Sequence, residues 1–142
     1  MVNKLRKILR NEKGFTLVEL LAVIVILGII AAIAVPAIGN VIDDSKRKAH
    51  LSNAQMMLEA ARLYKVQVNT SATQVTYQKL IDEDLIDDVT PPSGGEDSYN
   101  ETSSVVIFPN TVILKNSGGY NYFSGNPKSA DPDNDVELNP NP

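Results

Sequence analysis

The chain has no cysteine, no tryptophan and a single histidine in 142 residues. Without thiols, neither a disulfide framework nor a thiolate metal site can form, and a lone imidazole has no second one with which to share a metal. No Ser/His/Asp, Cys/His or paired-carboxylate arrangement stands in a supporting motif. The expectation is therefore a protein that is not an enzyme and needs no cofactor. Cations interleaved with aromatics are missing as well. The basic run Lys46 to His50 (KRKAH) comes just after Asp43 and Asp44 and reads as a solvated helix face with internal ion pairs. No direct nucleic-acid binding is expected from it.

Charge is unevenly spread. Residues 1–14 hold Lys4, Arg6, Lys7, Arg10 and Lys13 against Glu12, a net +4, which leaves −8 for the remainder. From Leu20 to Ile38 no residue is charged. At about 1.5 Å per helical residue that run covers roughly 28 Å, close to the hydrocarbon thickness of a bilayer. The basic flank before it and the acidic chain after it place the N-terminus in the cytoplasm and residues beyond about 40 outside. A secretory signal peptide cut near Ala32–Ala34 (AIA) is one reading, but its apolar core is long for that class. A plain signal anchor is another, yet it gives no reason for Glu19, since an acid at the centre of a span costs about 2.5–3.5 kcal/mol.

The stretch KGFTLVE, Lys13 to Glu19, with the apolar run after it, resembles the class III signal sequence, or prepilin-type N-terminal methylation motif, of type IV pilins and type II secretion pseudopilins. Several features coincide in register: a short basic leader, Gly14 at its end, an apolar residue next, a glutamate as the fifth residue after that glycine, and then an apolar helix. The resemblance implies cleavage by a prepilin peptidase between Gly14 and Phe15, N-methylation of Phe15, and retention of the apolar segment in the product. It further implies a helical homopolymer built by an assembly ATPase through a platform membrane protein, with Glu19 meeting the terminal amine of a neighbouring subunit. Local extension of the filament helix between Gly28 and Pro36 belongs to the same implication.

Elementary chemistry agrees with these expectations. Glycine offers a peptidase the least hindered scissile bond. Cutting there creates an α-amine, with an unperturbed pKa of about 7.7–8.0, one helical turn from Glu19. Burying an unpaired charge is costly and burying a paired one much less so. Pro36 lacks a backbone donor, which lowers the cost of unwinding the turn before it.

Beyond Pro36 the helical pattern continues. Ala54, Met57, Leu58, Ala61, Tyr64 and Val68 recur at spacings of three and four and mark one apolar face. Asp43 with Lys46 and Arg47, Asp44 with Lys48, and Glu59 with Arg62 stand at ion-pair spacing. One helix is predicted from about Phe15 to about Asn69, then a linker at Asn69–Thr73 and a short helix over Tyr77–Asp88. A turn-rich acidic surface loop follows over Thr90–Ser104. Three β-runs come next, at Ser104–Phe108, Thr111–Lys115 and Tyr120–Phe123. The polar, proline-broken close, Ser129 to Pro142, reads as a disordered or surface-draped tail. Within it Asp131, Asp133, Asp135 and Glu137 alternate like calcium ligands. Val136, however, stands where that loop needs glycine, and the later bidentate glutamate is missing. Tyr120, Tyr122 and Phe123 suit an adhesive surface or, more simply, packing.

The expected architecture is α+β: a long N-terminal helix, membrane span continuing into an amphipathic half, packed on a short helix and a small antiparallel sheet. Residues 1–14 form the leader, 15–38 the membrane and filament-core half, 39–69 the amphipathic half, 70–128 the head and 129–142 the tail. The expected function is that of a type IV pilus-like filament subunit, held in the membrane as a precursor and later extracellular. A pseudopilin of a secretion or DNA-uptake machine, and a signal-anchored or secreted binding protein, are the alternatives. The absence of disulfides leans toward a Gram-positive source.

Overall fold

The computed structural model describes residues 16–92 and 98–139. The chain divides into two units, Met1–Asn40 and Val41–Pro142. Helix α1 spans Leu17–Gln67, with Pro36 inside it. In the first unit every described residue is exposed except the half-buried Ala34. Among the described residues α1 is the one helix long and apolar enough to cross a membrane. An apolar surface of this kind needs a lipid or protein environment.

In the second unit α1 buries His50, Leu51, Ala54, Met57, Leu58, Ala60, Ala61 and Tyr64. The predicted face is there apart from Val68, which lies past the last helical residue and is 47% exposed. Four strands, β1 (Gln74–Thr76), β2 (Val105–Ile107), β3 (Thr111–Lys115) and β4 (Asn121–Gly125), form an antiparallel meander in the order β1-β2-β3-β4. Val75, Val106 and Val112 stand opposite one another across three strands, and Leu114 pairs with Phe123. All five are buried, and with Ala54, Met57, Leu58 and Ala61 they make one continuous core. The α+β class expected from the sequence is the class observed.

Several local readings are corrected. The run predicted as a linker ends in β1, whose Val75 enters the core. Helix α2 covers Tyr77–Asp82 and does not continue to Asp88. Its end is a Schellman turn: Leu85 N–H bonds the Leu80 carbonyl at 3.0 Å and Asp84 N–H bonds that of Ile81 at 2.9 Å. Asp84 takes a left-handed φ of 54°, a conformation that aspartate tolerates better than most residues. At the other end Thr76 caps α2, its hydroxyl accepting from Lys79 N–H at 3.3 Å. Thr76→Ala is expected to lower head stability by about 1 kcal/mol, seen as a lower urea midpoint with unchanged slope.

The segment Thr90–Ser104 is more than a surface loop. Tyr99 and Ser104 are buried, and the Ser104 hydroxyl both donates to the Lys115 carbonyl and accepts from Lys115 N–H. Residues 93–97 of that stretch lie outside the described residues. The tail reading is corrected too. Helix α3 (Pro132–Asp135) starts it, and Val136 is buried and bridges Phe123 of β4. Tyr122 and Phe123 are core residues. A register irregularity between Leu114 and Lys115 accompanies the burial of these two consecutive residues. Of the predicted ion pairs, Glu59–Arg62 forms at 3.1 Å. Asp43 and Asp44 make none among the described residues, and Arg47 instead donates to the Val136 carbonyl.

Candidate functional site

The first turn of α1 explains how Glu19 is held. Thr16 N–H donates to Glu19 Oε2 at 3.1 Å, the Thr16 hydroxyl donates to the same oxygen at 3.2 Å, and Glu19 N–H donates back to Thr16 Oγ1 at 3.2 Å. This is a reciprocal capping box, which satisfies two of the backbone donors a helix start leaves unpaired. The carboxylate also lies where the helix dipole favours negative charge. Sequence reasoning missed the box although Thr16-Leu17-Val18-Glu19 carries its signature spacing. Glu19 is exposed, and its Oε1 accepts no hydrogen bond from a described residue. Gly14 and Phe15, the expected cleavage and methylation positions, lie outside the described residues.

Gly28 and Pro36 both lie inside α1. A β-carbon built on Gly28 meets nothing within 4 Å, so no neighbour in this chain requires glycine there. Pro36 leaves one intrahelical bond unmade. The two residues therefore mark a stretch of the helix whose own bonding is weakest at Pro36.

Away from this segment, the solvated reading of Lys46–His50 is corrected at His50. Its side chain is buried, with Nδ1 2.7 Å from the Tyr99 hydroxyl and its ring stacked on Tyr122 at 4.3 Å. Tyr99 in turn accepts from Asn53 Nδ2 at 3.0 Å and meets Tyr77 edge-on. Burial, with Lys46 one turn away, holds the His50 pKa down to about 4. Burial also pushes the Tyr77 hydroxyl up to about 12 and raises that of Tyr99. The signal for His50 was in the spacing, since it precedes Ala54, Met57 and Ala61 by four, seven and eleven residues.

At the tail, Asp131 caps α3 by accepting from Asp133 N–H and Asn134 Nδ2, and its own N–H donates to Asp135 Oδ2. Glu137 accepts from the Tyr120 hydroxyl at 3.3 Å. The carboxylates of Asp131, Asp135 and Glu137 are thus engaged in closing the local chain. No group of three or more histidines or carboxylates among the described residues is arranged to hold a metal ion.

Residues 9–35 match the family described as the prokaryotic N-terminal methylation motif. Over 57 residues the chain is 37% identical to the type II secretion system core protein G of Pseudomonas aeruginosa, a stretch that covers 40% of this chain and 40% of that protein. The chain thus spans about two-fifths of the length of the curated relative it matches. No solved structure matches it. A prepilin-type segment that opens an apolar helix fits a membrane-anchored precursor. Through that segment the chain carries a prokaryotic N-terminal methylation motif and is similar to a type II secretion system core protein.

Proposed function

We propose that the chain is the structural subunit of a type IV pilus-like filament, cut between Gly14 and Phe15 by a prepilin peptidase and methylated at Phe15. The observation that carries this reading is the capped apolar helix start. Glu19 is pre-oriented by Thr16 at the head of an exposed apolar helix, and its Oε1 accepts no hydrogen bond from a described residue. Cleavage creates an amine within reach of that oxygen in a neighbouring copy. The pair carries no net charge, so it can be buried where either group alone would be expelled. The apolar surface of Leu17–Ile38 then exchanges lipid for other copies of itself, and Gly28 and Pro36 allow the helix to extend locally as it packs. An assembly ATPase and a platform membrane protein supply the work of extraction. The filament lies outside the cell, and the reading needs no cofactor.

Similarity to a secretion-system core protein favours a second reading, a pseudopilin of a secretion or DNA-uptake machine. It shares the processing chemistry and differs in whether long surface filaments form. The test is the N-terminal mass and sequence of the protein from sheared cell-surface material of its native host. Abundant protein beginning at N-methylated Phe15 is expected. The same N-terminus confined to the membrane would favour the pseudopilin. A chain that begins after Ala34 or keeps Met1 would refute processing at Gly14 and leave a secreted or anchored binding protein.

A further inference from the structure

Two copies of one short motif occur in the second unit: Asn69-Thr70-Ser71 and Asn100-Glu101-Thr102. Asparagine followed at the second position by serine or threonine, with no proline between, is the acceptor pattern for N-linked glycans on exported chains. The pattern is short enough to recur by chance, so the surroundings of each copy must decide between them.

Asn100 is half-buried beside the core residue Tyr99. Its Oδ1 accepts from Thr102 N–H at 3.1 Å, from the Thr102 hydroxyl at 3.0 Å and from Ser103 N–H at 2.7 Å, while its backbone N–H donates to the Lys115 carbonyl at 2.7 Å. The acceptor hydroxyl is thus spent on the asparagine itself, and the segment is tied to β3. Asn69 differs on each count. Asn69, Thr70 and Ser71 are all exposed. The backbone is anchored by Asn69 N–H to the Tyr64 carbonyl at 3.1 Å and by Ala72 N–H to the Asn69 carbonyl at 3.2 Å. Among the described residues Asn69 Oδ1 accepts only Ser71 N–H, at 3.1 Å. Its Nδ2 and the Ser71 hydroxyl make no hydrogen bond to a described residue, so both reach solvent from a fixed turn.

We propose that Asn69 is the acceptor of an N-linked glycan, donated by an oligosaccharide linked through a diphosphate to a membrane lipid. In the transfer Nδ2 forms a bond to the anomeric carbon of the first sugar. The bond from that carbon to the diphosphate oxygen breaks, its electron pair leaves with the lipid diphosphate, and one Nδ2 proton passes to a base of the transferase. No oxidant or reductant is involved. The proposal rests on the orientation given above, in which residues beyond about 40 lie outside the cell.

The experiment is peptide mass mapping of the full chain purified from its native host, alongside the variants Ser71→Ala, Ser71→Thr and Asn100→Gln. The peptide that holds Asn69 is expected to carry a sugar mass in the wild type, in Ser71→Thr and in Asn100→Gln, and to return to its plain mass in Ser71→Ala. Protease treatment of intact cells separates the two ways of failing. A plain Asn69 peptide on chains digested from outside overturns the proposal and leaves the orientation standing. A plain peptide on chains protected from protease overturns both, and a glycan on Asn100 alone overturns the choice of site.

Discussion

Cells that produce Glu19→Ala are expected to yield no filament in sheared material, although the precursor is still made, inserted and cut. On the proposed reading two roles are removed at once: the capping box, worth about 1 kcal/mol, and the anion proposed to meet the terminal amine of a neighbour. The second dominates, because an amine buried without its partner costs about 3–5 kcal/mol. At about 1.4 kcal/mol per factor of ten, each subunit addition weakens by roughly two to four orders of magnitude. Glu19→Gln separates the roles, since glutamine can still close a capping box with Thr16 but carries no charge. It is expected to keep the helix start and to fail in assembly almost as badly as alanine. Filament yield from the glutamine variant equal to wild type would transfer the role of Glu19 from charge pairing to capping. Normal yield from the alanine variant would remove both.

Acidification from pH 7 to pH 4 is expected to cost the head a large part of its stability through His50. An unfolded histidine titrates near 6.5, whereas in the folded head burial and the nearby Lys46 hold His50 down to about 4. Between those values the unfolded chain takes up a proton that the folded head refuses, so the contribution is fully present above about 6.5 and is lost as the pH falls toward 4. At about 1.4 kcal/mol per pKa unit, the loss reaches up to ~3 kcal/mol. The Tyr99 hydroxyl and the Tyr122 ring lie against the imidazole, and Asn53 donates to Tyr99. His50→Phe keeps the ring stack on Tyr122 and cannot titrate. Its urea midpoint should therefore fall less between pH 7 and pH 4 than that of the wild type, measured on the full chain in detergent. Identical pH profiles for the two proteins would show that His50 does not govern acid sensitivity.

How much was legible follows from where each interaction partner lies in the chain. Leader charge, apolar run, Gly14, Phe15 and Glu19 are neighbours in sequence, and their physics is contact with a bilayer or with a short stretch of helix. That part could be read directly, and the capping box at Thr16 was readable too. The face of α1 was visible from its spacing, but its edges were not. His50 looked solvated because it follows Lys46, Arg47 and Lys48, and only Tyr99 and Tyr122, some 49 and 72 residues further on, make its burial favourable. β1 has three residues and owes its strand pairing to β2, about thirty positions away, so local propensity had little to say about it.

The sequence by itself determined that this protein has a basic N-terminus, a helix fit for a membrane or a filament core, a prepilin-type start and no thiols. Those properties depend on composition and on contacts within one or two helical turns. Tertiary structure decided which residues of the head are core and which are surface: Tyr122 and Val136 inside, Val68 outside, Arg47 turned to the tail and Asn69 turned to solvent while Asn100 is tied down. Such choices depend on partners far apart in the chain, whose meeting is set by strand register and by the area each side chain can bury, and neither quantity exists until the sheet has closed over the helix.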